Sequence, residues 1–132
     1  MSPEEGVLLD FPEGLLGFPA LTRLRLLEPP EGYPLKFLQS ESGPELNFVA
    51  IDIASLKPDF TVPLSPAEAE TLALERPEDA LVLTLVVIPQ DPRQMTTNLA
   101  GPLVINVRTH IGRQIALAGD QYPLRHPILE DR

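Results

Sequence analysis

Few side chains in this sequence could act as nucleophile, base or metal ligand, and their spacing decides what they could do. His110 and His126 are its two histidines. Neither has a second histidine, a cysteine or a spaced carboxylate with which to build a site of three or four ligands. His110 is expected in a surface turn and His126 in a structural contact. Ser40, Ser42, Ser55 and Ser65 lack the glycine-flanked elbow that exposes a serine nucleophile. Thr97 with Asp91 and His110 would supply the hydroxyl, acid and base of a hydrolase, yet no spacing fixes their geometry, and this stays a remote alternative. The carboxylate pairs Glu4-Glu5, Glu78-Asp79 and Glu130-Asp131 are adjacent in sequence and read as solvated charges, not as a general acid facing a general base.

Phosphate and nucleic-acid chemistry fare no better. The segment Gly14-Leu15-Leu16-Gly17-Phe18 has two glycines but no following Lys-Ser/Thr, so it reads as a tight turn and not as a phosphate loop. Arg108, Arg113 and Arg125 come without the aromatic platform on which single-stranded bases stack. Arg125 is expected to pair with an acid or with backbone carbonyls. The expectation is a protein that is not an enzyme, with no metal, no cofactor and no catalytic residue.

The elements that must position any site follow from the breakers. Sixteen prolines in 132 residues fall between apolar runs and cut the chain into short strands and turns. The expected strands are Gly6–Phe11, Leu21–Leu27, Leu35–Gln39, Leu46–Ile51, Leu81–Ile88, Leu103–Val107 and Gln114–Leu117. Breakers at 12–17, 29–32, 41–44, 89–92 and Gly112 separate them. The alternation in Leu24-Arg25-Leu26 and in Leu103 to Arg108 puts polar residues on a solvated or functional face. Leu81–Ile88 barely alternates and is expected to be buried on both faces at the centre. One helix of about three turns, residues 65 to 75, is marked by Ser65 as N-cap, Pro66 at the first position and Glu68 at the third. Arg76-Pro77 should stop it, and it should lie as a lid over one end. The fold class is therefore all-β: a small antiparallel β-barrel-like domain with one short α-helix, occupying residues 1–132 as a single domain.

Composition sets the wider bounds. With 43% hydrophobic residues and no tryptophan, the core must be built mainly of Leu, Val and Ile. There is no cysteine, so disulfide and thiolate chemistry are excluded. The apolar run Leu81–Ile88 is far short of the roughly 20 residues a membrane helix needs. Glu4 and Glu5 stand where a secretory signal would be basic. A cytoplasmic protein without a membrane partner is expected. The net charge is −9, with ten acids against four bases in residues 1–66 and nine against six in 67–132. Such a surface repels nucleic acid, whose binding rests on neutralising phosphates. Two readings remain: plain solubility, or attraction of a basic protein partner.

Apolar residues beside turns, namely Leu15, Leu16, Phe18, Leu99 and Leu103, either form a docking patch rimmed by acids or plug the end of a barrel. An all-β acidic domain with an open interior would instead be a small-ligand-binding β-barrel.

Several motifs stand in a distinctive order. They are Leu9-Asp10-Phe11-Pro12-Glu13-Gly14-Leu15-Leu16-Gly17-Phe18; Pro34-Leu35-Lys36-Phe37-Leu38-Gln39-Ser40 with Leu46 to Ile51; Lys57-Pro58-Asp59-Phe60; Gln90 to Leu117; and Tyr122-Pro123-Leu124-Arg125-His126-Pro127. Together they span residue 7 to about 128 and resemble the flagellar assembly factor FliW family. Leu16 stands where proline is usual in that pattern, Phe37 where tryptophan is commoner, and Phe60 where tyrosine is. The resemblance implies a β-barrel-like protein that works only by binding. It would bind the RNA-binding translational regulator CsrA outside its RNA surface and relieve repression of flagellin mRNA. Alternatively it would bind flagellin, the two partnerships excluding each other. No direct nucleic-acid contact is implied, and a monomer is expected. The partner-binding residues expected from the densest pattern are Gly14, Leu15, Leu16, Gly17 and Phe18 with Thr97, Asn98, Leu99, Pro102 and Leu103. The same residues also fit fold duties: glycines for turns, Asn98 bonding a turn backbone, and Leu103, Ile105 and Val107 for core.

Overall fold

The computed structural model describes residues 6–29 and 35–128. The expected turn at 30–32, the residue Pro34, and the carboxylate pairs Glu4-Glu5 and Glu130-Asp131 lie outside the described residues. The strands are β1 (Val7–Asp10), β2 (Arg23–Leu27), β3 (Leu35–Ser40), β4 (Asn47–Asp52), β5 (Ala80–Val87), β6 (Thr96–Thr97), β7 (Leu103–Asn106), β8 (Gly112–Gln114) and β9 (His126–Pro127), with one α-helix, α1 (Pro66–Leu72). They form a nine-stranded sheet in the order β1-β2-β3-β4-β5-β6-β9, and β7 pairs with both β5 and β8. The named ladders are antiparallel. An isolated parallel bridge from Asp10 to Ile111, with Asp10 N–H donating to the His110 carbonyl at 2.8 Å, brings β1 against the β7–β8 turn. No ladder continues there, so the sheet curls without closing. All-β with one short helix is what the breaker spacing led us to expect.

Alternation decides which side of each strand is dry. Leu24 and Leu26 are buried while Arg25 between them is half-exposed. Leu9, Phe11, Leu15, Leu21, Leu24, Leu26, Leu38, Ala50, Leu83, Leu103 and Ile105 form one core. Each leucine so enclosed contributes on the order of 1.5–3 kcal/mol, an upper bound because unfolded chains already bury some surface. Gly112 at the start of β8 lets this core close: a Cβ there would fall 2.6 Å from the Phe11 ring.

A second cluster, Leu72, Val104 and Ile115 with Val82 and Leu117 against it, lies beneath α1. Val104 alternates with Leu103 and Ile105, so this cluster sits on the opposite face of β7. The helix therefore covers a sheet face and does not lie over one end. It is also shorter than expected, at seven residues. Ser65 Oγ accepts from Glu68 N–H and Glu68 Oε1 from Ser65 N–H, the capping box read from the sequence. At the other end Ala73 turns left-handed (φ 50°) and stops the helix before Arg76-Pro77 is reached.

Two expectations about strands are corrected. β5 is central, pairing with β4, β6 and β7, but its burial on both faces does not last. Leu83 and Thr84 are enclosed, whereas Val87 is 63% and Ile88 47% exposed. The early half lies between both clusters; the late half has the core on one side alone. In β7 the alternation does not mark a solvated face, since Leu103, Val104, Ile105 and Asn106 are all buried, while Val107, expected in the core, is exposed. Asn106 is polar because it holds the helix: its Nδ2 donates to the Leu72 carbonyl at 2.8 Å, and its Oδ1 accepts from Arg108 N–H at 2.8 Å. Among the described residues no helix is long and apolar enough to cross a membrane.

Candidate functional site

The Gly14–Phe18 segment is a tight hairpin built by its glycines. Leu15 and Phe18 exchange backbone hydrogen bonds of 3.1 and 2.8 Å, leaving Leu16 and Gly17 at the tip. Gly17 has φ +83° while Leu16 stays at negative φ, the pattern of a type II turn with glycine at its third position. Gly14, at φ +70°, sits so close to the Phe18 and Pro19 carbonyls (2.7 and 2.5 Å from an ideal Cβ) that no side chain fits. The hairpin points Leu15 into the core, 4% exposed, and leaves Leu16 at 55% and Phe18 at 40% in solvent. Phe18 is steadied by an edge contact to Phe48, ring centroids 6.5 Å apart.

The second expected segment follows β6. Thr97 Oγ1 lies 2.6 Å from Thr84 Oγ1 and 2.9 Å from the Leu85 carbonyl oxygen, all in the interior. Asn98 Oδ1 accepts from Ala100 N–H at 2.8 Å, the turn-backbone bond expected of it. Leu99 and Leu103 are 0% exposed and Pro102 is buried. Leu15, Leu99 and Leu103, which looked like surface residues from their place beside turns, are core. Of the ten residues, Leu16, Gly17 and Phe18 reach the surface and Asn98 is half-buried.

What joins the two segments is a residue the sequence reading passed over. Gln114 Oε1 accepts from Leu16 N–H at 2.7 Å, and Gln114 Nε2 donates to the Gly101 carbonyl at 2.9 Å. One side chain from β8 thus clasps the hairpin tip to the 98–103 turn. Its signal was present as the glutamine of Gly112-Arg113-Gln114, but an amide with two distant backbone partners leaves no periodic trace.

The remaining chemically capable groups are structural. Asp91 accepts from Arg93, which holds its carboxyl below the usual aspartate value. His110 is exposed at φ 65° in the β7–β8 turn, and no hydrogen bond links Asp91, Thr97 and His110. His126 pairs with Thr97 across β9–β6. Asp79, expected in solvent, is 2% exposed, which corrects the reading of Glu78-Asp79 as solvated charges. It accepts from Arg108 Nε and from Arg76 N–H, each at 3.1 Å. Burial pushes its carboxyl up, but the Arg108 bond and the backbone N–H groups of Arg76 and Glu75 outweigh this and hold it low. Arg125 is exposed and forms no ion pair or hydrogen bond among the described residues, contrary to expectation. Among those residues no group of three or more His, Asp or Glu could hold a metal. What the arrangement offers is an exposed apolar tip, Leu16 and Phe18, on a backbone fixed by glycines and by Gln114.

Known proteins are similar to this chain over nearly its whole length. A family model described as FliW protein matches residues 1–128. The flagellar assembly factor FliW of Natranaerobius thermophilus is 37% identical over 129 residues, which is 97% of this chain and 85% of that protein. That of Caldanaerobacter subterraneus is 39% identical over 129 residues, 97% and 85% of the two chains. That of Geobacter sulfurreducens is 35% identical over 127 residues, 96% and 79%. A crystal structure of the flagellar assembly factor FliW superposes with a TM-score of 0.85 at 26% identity, covering 100% of this chain and 91% of the other.

Proposed function

The chain belongs to the FliW family, and from that premise we propose that it is a flagellar assembly factor that acts by binding proteins and catalyses nothing. It binds the translational regulator CsrA, frees flagellin mRNA from repression, and binds flagellin in the alternative, so that free flagellin releases CsrA. It does so in the cytoplasm as a monomer of one domain, without direct contact to nucleic acid or membrane. The observation that carries this reading is the match over residues 1–128 together with relatives bearing the name flagellar assembly factor.

The contact surface is the hairpin tip, Leu16 and Phe18, with Gly14, Leu15 and Gly17 shaping it and Thr97, Asn98, Leu99, Pro102 and Leu103 supporting it from behind. The net charge of −9 suits a basic partner. An acidic body held beside an RNA-binding surface lowers the potential that attracts phosphates, with a range of about 8 Å at physiological salt. Raising the salt should then weaken antagonism of RNA binding even where the protein complex persists; unchanged antagonism would remove charge from the mechanism.

Calorimetric titration against CsrA and, separately, flagellin from the same organism tests the reading. Each should bind, and each should block the other. Simultaneous binding of both defeats the switch, and binding of neither defeats the partner assignment.

A further inference from the structure

Two segments far apart in sequence meet at an open niche of about 190 Å³, lined by Lys57, Asp59, Phe60, Thr61, Gln121 and Tyr122. The first is wound by backbone bonds from Lys57 N–H to the Ile53 carbonyl (2.7 Å) and from Phe60 N–H to the Lys57 carbonyl (3.0 Å); a turn from Tyr122 N–H to Gly119 (3.1 Å) presents the second. The rings of Phe60 and Tyr122 meet edge to face, centroids 5.9 Å apart at 85°. They form an apolar wall with a phenolic hydroxyl on it.

The niche carries one cation and one carboxylate, Lys57 and Asp59, and the two form no ion pair with each other. Arg23, Arg25, Lys36, Arg76, Arg93 and Arg108 each pair with a carboxylate, whereas Arg113 bonds the Thr71 hydroxyl and Arg125 is exposed. Lys57 is half-buried and forms no ion pair among the described residues, although Asp59 lines the same niche. No carboxylate among the described residues lies within ion-pair distance of its ammonium, so a carboxylate brought by a partner would be its first close one. Asp59 at the same rim disfavours a dianion such as a phosphate group, while its oxygens can accept a peptide N–H. A single carboxylate on a short stem, next to an apolar side chain that lies on the rings, meets every one of these conditions.

We propose that this niche docks a glutamate or aspartate side chain of a partner polypeptide, with Lys57 pairing its carboxylate and the Phe60–Tyr122 wall taking the neighbouring apolar residue. The inference rests on the reading of the chain as a protein that acts by binding other proteins. A cation without an internal ion pair, set beside an apolar wall on an acidic body, fixes the register of a partner that is drawn in by its basic surface.

The probe is N-acetyl-leucyl-glutamate amide, titrated into the isotope-labelled protein by NMR beside its glutamine counterpart. The glutamate peptide should shift resonances of Lys57, Thr61, Gln121 and Tyr122, and the glutamine peptide should bind about fivefold more weakly, the worth of one partly screened charge pair. Lys57→Gln should abolish that difference, and Lys57→Arg, which keeps the cation, should retain it. Equal binding of the two peptides, discrimination that survives Lys57→Gln, shifts centred elsewhere, or no shifts at all would each overturn the proposal. Neither CsrA nor flagellin is in the sample, so failure here is separate from failure of the partner switch.

Discussion

Gln114 accepts the backbone N–H of Leu16 at 2.7 Å although the two are 98 positions apart in the chain. Its other end donates to the Gly101 carbonyl at 2.9 Å. The two segments that carry the densest family pattern are therefore one unit, and its register is set by an amide side chain. Gln114→Ala should cost about 1 kcal/mol, because each bond is near the surface and water can replace it. Partner affinity should fall by more than that stability loss accounts for, since the Leu16–Phe18 tip would no longer be pre-ordered. Chemical denaturation and calorimetry on the same variant separate the two effects.

Leu16 can give its N–H to Gln114 because it is not proline. Proline is the favoured second residue of a type II turn and stabilises a compatible site by about 0.4–1 kcal/mol through the unfolded chain. In this chain Leu16→Pro removes the donor. It should lower stability by several tenths of a kcal/mol or more in the native background and raise it once Gln114 is alanine. A double-mutant cycle that shows simple additivity would mean the clasp contributes nothing in solution.

Local signals were the legible ones. The capping box of Ser65 and Glu68, the glycine turn at 14–17 and the Asn98 turn each lie within a few residues, and each formed as read. What escaped was set by distant partners. β6 and β9 are two residues long, too short to show alternation, and exist because they pair with β5 and with each other. Asp79 and Asn106 looked like surface polar residues because Arg108 and the end of α1 are distant from them in sequence or in role. The candidate site was half legible: its residues were named together, but whether Leu99 and Leu103 face a partner or plug the core stayed open, and they are core.

Asn106 closes the end of a helix that has no glycine to do so. Asn106→Ala would leave the buried Leu72 carbonyl and the partly buried Arg108 N–H short of partners, at a cost of about 1–3 kcal/mol. Ala73→Gly should act in the opposite direction. Its left-handed φ of 50° is strained for alanine and free for glycine, a gain of up to about 1 kcal/mol. Thermal melts of the two single variants should move in opposite directions.

Asp79 gives stability a defined pH dependence. Its folded carboxyl titrates below the ordinary value of 3.8, so the unfolded chain binds its proton first as pH falls. The stabilisation is fully present above 3.8, and it is lost as pH drops from there through the lowered folded value. Asp79→Asn removes the charge that holds Arg108, and should lower stability at neutral pH while flattening the acid limb of the curve. An acid limb identical to that of the native chain would assign it to other carboxylates.

Surface and support within the candidate site should respond differently to substitution. Leu16→Asp and Phe18→Asp place charge on residues already 55% and 40% exposed, so melting should change little. Affinity for a partner that docks on the tip should drop by tenfold or more, as for a central apolar contact worth about 1.4 kcal/mol or above. Leu99→Ala, at 0% exposure, should cost about 2–5 kcal/mol of stability by opening a cavity. Where the protein still folds, Leu99→Ala should leave affinity nearly intact. The comparison is made by denaturation and by calorimetry against each partner. If the two aspartate variants bind as the native chain does, the hairpin tip is not the contact surface, whatever the fate of Leu99→Ala.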